Sequence, residues 1–267
     1  MKIFPLLLLL TLGACHSTPA PDYSLKVTYC DKVATASDGG LITPAQKEAI
    51  LSAVCKVGIP FVGSGSGVAI ARDKEEQTDK DGKKFRYTYI LTAKHVADDS
   101  KLFTVEYRKD QLTYNEIGER VWLSDRLDLA LIRVKDSKIN LLPLDLKFEV
   151  KIPESGDSKK YHPTCYVVGC AGGMFPPAVT IGFVNFLEKW YIGVDAAAYY
   201  GNSGGAIIDT QTGKAIGVLT QGGFDYPTGF VSDRVCGMNL SAIDRFINEE
   251  IPEQAKKKAE EEKKSVK

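Results

Sequence analysis

The chain has 267 residues, with 34 basic and 34 acidic side chains, so its formal net charge at pH 7 is zero. This balance argues against a dedicated nucleic-acid-binding protein, which usually carries an excess of basic residues. Apolar residues make up 44% of the chain, enough for one or two cores. No apolar run reaches the ~20 residues that a membrane-spanning helix needs.

The first residues are typical of a secretory signal peptide. The segment MKIFPLLLLLTLGAC has one lysine, a short apolar stretch and then small residues. Its end, Leu12 to Cys15, resembles a bacterial lipobox, in which the cysteine becomes the lipidated first residue. We therefore expect residues 1–14 to be a lipoprotein-type signal peptide and Cys15 to carry a lipid anchor; the alternative is an ordinary cleaved signal. Both predict export, and with the lipid anchor the protein would be held at the cell envelope, in a Gram-negative host at the outer membrane or periplasm.

A linker and a helix are expected next. Residues 15–42 are polar and rich in turn-forming residues, which indicates a linker. Thr43, Pro44 and Gln46 then have the features of a helix start: a threonine cap, a proline in the first turn and a glutamine that completes a capping box. The helix is expected to run to about Val54.

The sequence then changes to short runs of β-branched and aromatic residues. The main runs are FVGSGSGVAIAR, FRYTYILTA, LFTVEYR, LALIRV, CYVVGC, VTIGFVNFL, YIGVDAAA, GAIID and AIGVLTQ. Turn signals separate several of them and no helix intervenes, so the sequence predicts an all-β sandwich or barrel. The GSGSG run leads into a strand and lacks a following Lys-Ser/Thr, which excludes a phosphate-binding loop.

A second helix is predicted near the C-terminus. Five residues at helical spacing define its apolar face and its start: Ser241, Ile243, Phe246, Ile247 and Ile251. Pro252 is expected to end this helix. Residues 249–267 form a charged tail of mixed sign, which we expect to be solvated.

The cysteines leave their pairing open. Besides Cys15 there are five, an odd number, so at least one lacks an intramolecular partner: Cys30, Cys55, Cys165, Cys170 and Cys236. A disulfide between Cys30 and Cys55 would attach the linker to the body of the protein. His162, Cys165 and Cys170 offer three potential metal ligands at loose spacing, whereas a structural zinc site normally has four, so no metal site is predicted.

Three residues point to a reaction. Ser203 lies among glycines in AYYGNSGGAIID, which fits a tight hairpin turn, or a nucleophile on a strained turn with main-chain N–H groups facing a reacting carbonyl. A serine nucleophile needs a base, and of the three histidines only His95, in YILTAKHVAD, ends a strand. Asp128, in SDRLDLALIRV, supplies a carboxylate that would orient such a base.

His95, Asp128 and Ser203 lie, in this order along the chain, in blocks that resemble those of a known family. The blocks LTAKHV, DLALIRV and GNSGGAIID resemble the three signature blocks of trypsin-like (chymotrypsin-fold) serine peptidases, of the bacterial degradation-protease type. GSGSGVAIA, VVGCAGG and AIGVLTQGG match further blocks in the same order. The resemblance covers residues 50 to 248.

This resemblance implies an all-β fold of two six-stranded antiparallel Greek-key barrels with short flanking helices. The protease domain would span residues 43–248, with the first barrel at about 50–150 and the second at about 160–248. The site would lie in the cleft between the barrels. No PDZ domain is expected after the protease domain.

The resemblance also implies a mechanism: hydrolysis of polypeptide substrates through an acyl-enzyme, without a cofactor. Ser203 would attack, His95 would take the proton, and Asp128 would orient His95. The N–H groups of Gly201 and Ser203 would form the oxyanion hole. By its position relative to Ser203, Ala197 would be the floor of the specificity pocket.

The strand from Thr220 to Gly222 would pair with the substrate backbone. With no carboxylate at Ala197, the resemblance implies a small or medium apolar P1 residue, unless a register shift of two brings Asp195 to the floor. Asn202 replaces the aspartate of zymogen-activated relatives, so activity should not require a newly cut N-terminus. The alternative to an enzyme is an inactive pseudoprotease that acts as a binding or scaffold module of the envelope.

Overall fold

The computed structural model describes residues 43–59, 62–144, 163–222 and 235–265. The predicted signal peptide, the anchor Cys15 and the linker lie outside these residues, as do Cys30 and His162.

Twelve of the described strands form two closed six-stranded antiparallel barrels. The first barrel contains β1 (Val54–Ile59), β2 (Gly63–Arg72), β5 (Tyr87–Thr92), β6 (Leu102–Lys109), β7 (Leu112–Leu123) and β8 (Ala130–Lys135). The second contains β9 (Thr164–Gly169), β10 (Ala178–Leu187), β11 (Tyr191–Asp195), β12 (Ala206–Asp209), β13 (Ala215–Gly222) and β14 (Val235–Asn239). A separate small hairpin consists of β3 (Gln77–Thr78) and β4 (Lys84–Phe85).

Both barrels have the same strand order. The first runs β1-β2-β5-β8-β7-β6, and the second, read around its closed ring, runs β9-β10-β11-β14-β13-β12. In each barrel the first three strands are neighbours in sequence order and the fourth returns to lie beside the first, which is a Greek-key path. The predicted all-β class with two six-stranded barrels is therefore confirmed.

An apolar core joins the two barrels. Each barrel has its own interior, and a further cluster lies between them, formed by Val68, Leu91 and Leu131 of the first barrel with Tyr166, Val168 and Ile208 of the second. Burial of such side chains stabilises by about 1.5–3 kcal/mol each. The shared cluster therefore holds the barrels in one relative position.

The first helix, α1 (Pro44–Leu51), begins as predicted. The Thr43 hydroxyl accepts the N–H of Gln46 at 3.2 Å, and the Gln46 amide oxygen accepts the N–H of Thr43 at 2.8 Å. The helix ends at Leu51, before the predicted end at Val54, because Val54 already pairs with Val68 in the first barrel.

The C-terminal helix differs from the prediction that Pro252 ends it, which is wrong. The segment α3 (Leu240–Arg245) continues through a π-helical turn (Phe246–Glu250) into α4 (Ile251–Ser265). In the π-turn the N–H of Ile251 bonds to the carbonyl of Phe246, five residues back. This widened turn lies directly before Pro252, which has no N–H to donate, and lets the helix continue past the proline.

The start of α4 packs on the first barrel. Ile251 is fully buried, and Gln254 Nε2 donates to the carbonyl of Leu123 at 3.0 Å. The charged side chains from Lys256 to Glu261 are exposed, as expected for the tail, but this segment is helical and the first part of the predicted tail is not solvated, because Glu250 and Ile251 are buried. Lys257 and Glu253 form an ion pair of 2.9 Å along this exposed face.

The same helix also reaches a turn of the first barrel. The buried Glu250 accepts a hydrogen bond from Ser124 Oγ at 2.6 Å, and Ser124 Oγ accepts the N–H of Leu127 at 2.8 Å. Asp128 follows directly after this turn. The C-terminal helix therefore supports the loop that carries Asp128.

Four described cysteines carry free thiols: Cys55, Cys165, Cys170 and Cys236. Cys55 lies in the core of the first barrel, and its predicted disulfide with Cys30 is not confirmed. Among the described residues no group of three His, Cys, Asp or Glu side chains is placed to hold a metal ion. No helix of the described part of the chain has both the length and the apolar character to cross a membrane.

Candidate active site

His95 and Asp128 form a hydrogen-bonded pair at the edge of the first barrel. His95 lies on the one-turn helix α2 (Lys94–Ala97) just after β5, and Asp128 lies in the loop between β7 and β8. Asp128 Oδ2 lies 2.8 Å from His95 Nδ1, and Asp128 Oδ1 accepts the main-chain N–H of His95 at 3.1 Å. The carboxylate therefore fixes both the backbone and the ring of His95, and leaves Nε2 available for another partner.

The pair changes the acidity of the imidazole. The hydrogen bond that the ring donates to the Asp128 carboxylate raises the pKa of His95 above its ordinary value, and partial burial acts against this rise. A carboxylate at Nδ1 favours the imidazolium form, so His95 binds a proton more readily than an isolated histidine.

We expect a proton NMR titration to show His95 half-protonated above pH ~6.5, the ordinary histidine value. In Asp128→Asn the midpoint should fall, because the negative charge that favours the imidazolium is gone. His95→Gln identifies the resonance among those of the three histidines. An unchanged midpoint in Asp128→Asn would show that the two side chains do not interact in solution.

Strand β2 brings Ser203 and the His95 helix together. The N–H of Ser66 donates to the carbonyl of Ser203 at 2.7 Å. A Cβ built on Gly65 would lie 2.9 Å from that same carbonyl oxygen and 2.6 Å from Cγ2 of Val96, the residue after His95. The segments that carry the nucleophile candidate and the base candidate therefore lie close together on either side of Gly65.

The turn before Ser203 has its carbonyl groups bound. The carbonyl of Tyr200 accepts the N–H of Gly172 at 2.5 Å, and that of Asn202 accepts the N–H of Gly205 at 2.8 Å. The N–H and C=O of a trans peptide point in opposite directions. These two bonds therefore direct the N–H groups of Gly201 and Ser203 away from the residues that bind the carbonyls.

Two main-chain donors are thereby left open beside the nucleophile candidate. They are the N–H groups of Gly201 and Ser203, which donate to no acceptor among the described residues. Gly201 has φ of +92°, a conformation suited to glycine. The structure thus pairs the predicted residues His95 and Asp128 in the first barrel, and places Gly201 and Ser203 in one turn of the second.

The predicted substrate-binding residues fall in two places. Ala197 is exposed, while Ala196 and Ala198 are buried, so the prediction of Ala197 as the floor of a pocket is not confirmed. Thr220 is buried, and it lies with Gly222 at the end of β13. Residues 223–234, which follow that strand, lie outside the described residues.

Asp195 and Asn202, two polar residues named in the predictions, lie on either side of residues 196–198. Asp195, the acid that a register shift would bring to the floor, is exposed at the end of β11 and pairs with Phe183 of β10. Asn202 is buried, and its Oδ1 has no hydrogen-bond partner within the described part of the chain.

Sequence reasoning missed two residues that bind the turn before Ser203. Ser66 donates its hydroxyl to the carbonyl of Gly201 at 2.6 Å, and Gly172, with φ of +63°, donates its N–H to Tyr200. Ser66 stands in the GSGSG run, which the sequence excludes as a phosphate loop and matches as a whole to a block of the family, without a role for this serine. A serine within a strand that continues into the apolar run VAIA is the signal that could have singled it out.

Comparison with known families gives a match over most of the fold. The sequence model of the family described as trypsin-like peptidase domain matches residues 65–218, more than half of the chain. Two curated relatives, described as serine protease HtrA-like and from two strains of Staphylococcus epidermidis, are each 27% identical over 149 residues. The match covers 49% of this chain and 24% of each relative, so the chain spans about a quarter of their length.

Solved structures resemble the chain in fold. One, the HtrA-type protease AlgW with a decapeptide, has a TM-score of 0.55 at 18% identity, covering 79% of this chain and 68% of that one. Another, the MamO protease domain from Magnetospirillum magneticum in its apo form, has a TM-score of 0.51 at 16% identity, covering 74% and 96%. At such identities the likeness extends to the fold alone.

Proposed function

Because the chain belongs to the trypsin-like peptidase family, we propose that it is a serine endopeptidase that hydrolyses peptide bonds of polypeptides through an acyl-enzyme. The observation that carries this proposal is the pair His95–Asp128, bonded at 2.8 Å, with His95 on a segment whose Val96 lies beside Gly65 on one side while the Ser203 carbonyl lies beside it on the other. Each element has a role in acyl transfer, and no cofactor is needed for that chemistry.

In the proposed reaction Ser203 Oγ attacks the substrate carbonyl while His95 Nε2 takes the hydroxyl proton. Asp128 keeps the proton of the ring on Nδ1 and stabilises the imidazolium that forms. The tetrahedral oxyanion lies between the open N–H groups of Gly201 and Ser203. His95 then donates its proton to the leaving amine, and water hydrolyses the acyl-enzyme by the same steps in reverse.

The proposal is tested by labelling the purified protein with a fluorophosphonate probe, which phosphonylates an activated serine. Wild type should be labelled and Ser203→Ala should not. Ser52→Ala is the matched control, since it removes a serine hydroxyl at the end of α1, away from the Ser203 turn. No labelling of the wild type, or equal labelling of Ser203→Ala, would leave the inactive binding module as the better description.

We further propose that the enzyme prefers a small or medium apolar residue at P1. The segment 196–203, AAAYYGNS, contains no acidic side chain. A lysine or arginine bound against it would lose water without gaining a carboxylate partner, and this is costly. Asp195 is exposed and therefore does not supply a buried counter-charge.

Digestion of an unfolded protein mixture, read by mass spectrometry, should therefore show most cuts after residues such as Ala, Val and Leu. Discrimination among these should be modest, because one methylene is worth only ~1–3 kcal/mol. The Asp195→Asn variant should give the same profile. Predominant cleavage after Lys or Arg in wild type, lost in Asp195→Asn, would assign the pocket to Asp195 instead.

For localisation, we propose that the protein is exported and held at a membrane by lipid on Cys15. Support comes from the lipobox-like sequence at Leu12 to Cys15. Each buried CH₂ of an acyl chain contributes ~0.8 kcal/mol, so more than one chain makes a stable anchor. Cys15→Ser should move the protein from the membrane to the soluble fraction, whereas Cys30→Ser should not. Intact-mass analysis that finds an unmodified N-terminus at another residue contradicts the proposal.

A further inference from the structure

Ser66 connects the two barrels at the turn before Ser203. It is fully buried in β2. Its hydroxyl donates to the carbonyl of Gly201 at 2.6 Å and accepts the N–H of Cys170 at 2.8 Å. Its main-chain N–H donates to the carbonyl of Ser203 at 2.7 Å. One residue of the first barrel therefore holds three main-chain groups of the second.

The Ser66 hydroxyl acts on the peptide that lies between the two open donors. The peptide from Gly201 to Asn202 separates the N–H of Gly201 from the N–H of Ser203. Its carbonyl end is bound by Ser66, and its N–H end donates to the carbonyl of Tyr199 at 3.0 Å. With both ends bound, the peptide plane does not rotate, and the angle between the two donors stays fixed.

The flexibility of Gly201 makes the hydrogen bond from Ser66 necessary. Gly201 has no Cβ to restrict its backbone and adopts φ of +92°, so its own conformational preference does not keep the turn in place. The Ser66 site is also closely packed, because a Cβ on Gly169 would lie 3.0 Å from the Ser66 hydroxyl. Removal of the hydroxyl leaves the carbonyl of Gly201 and the N–H of Cys170 without their partner.

We propose that Ser66 is a positioning residue for the oxyanion hole: through the Gly201 carbonyl, its hydroxyl holds the N–H groups of Gly201 and Ser203 in the geometry that binds the oxyanion. This role rests on the proposed peptidase function. Ser66 does not touch the reacting atoms, and its effect is expected in the transition state rather than in substrate binding.

The first test is steady-state kinetics on a peptide amide with the preferred P1 residue. Ser66→Ala should lower kcat by about tenfold, less than loss of an oxyanion donor itself, while KM stays within about twofold. Ser66→Cys, which keeps a weaker donor, should fall between wild type and Ser66→Ala.

Ser52→Ala is the matched control for stability. Ser52 is buried at the end of α1, donates its hydroxyl to the carbonyl of Ala49 at 3.0 Å and accepts from Asn140 at 2.6 Å. Ser52→Ala therefore removes one donated and one accepted hydrogen bond, as Ser66→Ala does, but away from the Ser203 turn. Both variants should lower Tm, but only Ser66→Ala should lower kcat; an equal loss of kcat in the two overturns the proposal.

The second test measures the oxyanion directly. A peptidyl trifluoromethyl ketone, labelled with ¹³C at its carbonyl, forms a hemiketal with Ser203 whose hydroxyl titrates in the oxyanion hole. Well-placed donors favour the anion and lower the pKa of that hydroxyl, so Ser66→Ala should raise it and Ser52→Ala should not. If Ser66→Ala does not fold, Ser66→Cys serves for the same titration.

The outcomes separate the two proposals. A wild type that neither reacts with the fluorophosphonate nor forms the hemiketal contradicts the peptidase function itself. If the wild type does both, and the hemiketal pKa is the same in the wild type and in the folded Ser66 variant, the positioning role alone is overturned. A raised pKa together with an unchanged KM supports it.

Discussion

Asp128→Asn should lower kcat by about 10⁴-fold and leave the fold intact. The reason lies in how both carboxylate oxygens are used. Oδ1 accepts the main-chain N–H of His95 at 3.1 Å, and Oδ2 lies 2.8 Å from Nδ1 of the ring. An asparagine has only one oxygen to meet these two groups.

The main-chain N–H only donates, so it takes the asparagine oxygen and leaves the NH₂ group facing Nδ1. The ring must then accept at Nδ1 and carry its proton on Nε2, the atom that has to receive the proton of Ser203. The base is present in this variant but is in the wrong tautomer.

The measurement is kcat on a peptide amide, with Tm to confirm folding. Asp125→Asn is the matched control, because Asp125 is exposed in the same loop. It should retain wild-type kcat. A loss of less than tenfold in Asp128→Asn would mean that Asp128 does not orient His95.

Gly201→Ala should lower kcat by about 10²–10³-fold, the cost of losing one oxyanion donor. The alanine Cβ would overlap the carbonyl oxygen of Cys170 and lie 2.9 Å from the nitrogen of Gly173. It would also strain a backbone with φ of +92°. The turn must therefore move, and the N–H of Gly201 leaves its position.

Gly82→Ala separates this effect from backbone strain alone. Gly82 has φ of +77°, but an added Cβ there meets no atom within 4 Å. Both variants should lose stability, by about 1–2 kcal/mol from strain at Gly82, and only Gly201→Ala should lose the reaction. Activity of Gly201→Ala within threefold of wild type would show that the Gly201 N–H does not bind the oxyanion.

The sequence predicted the all-β class and the first helix because their signals are local. The runs of β-branched and aromatic residues between turns and the capping box at Thr43 each lie within a few residues, whereas the two-barrel arrangement was predicted from the family resemblance. The grouping of His95, Asp128 and Ser203 in one site was predicted only from a resemblance of several blocks in one order, because the number of residues between them does not fix their distance in space. Of these contacts, the structure shows the pair His95–Asp128.

What the sequence did not predict depends on contacts between distant segments. Ser66 acts through Gly201, 135 residues later, and no local pattern records that bond. The helix passes Pro252 because of a π-turn whose surroundings include Ser124, 126 residues before Glu250. The exposure of Ala197 likewise depends on how the end of β11 leaves the second barrel.

The path of the C-terminal helix makes both barrels depend on the last described segment of the chain. Ile243, Phe246 and Ile251 belong to the core shared by the barrels, and Glu250 supports the turn before Asp128. The two barrels without this helix lack part of their shared core and the Glu250–Ser124 hydrogen bond that supports the Asp128 loop. The barrels without this helix would therefore be less stable, and the loop that carries Asp128 would be less firmly held.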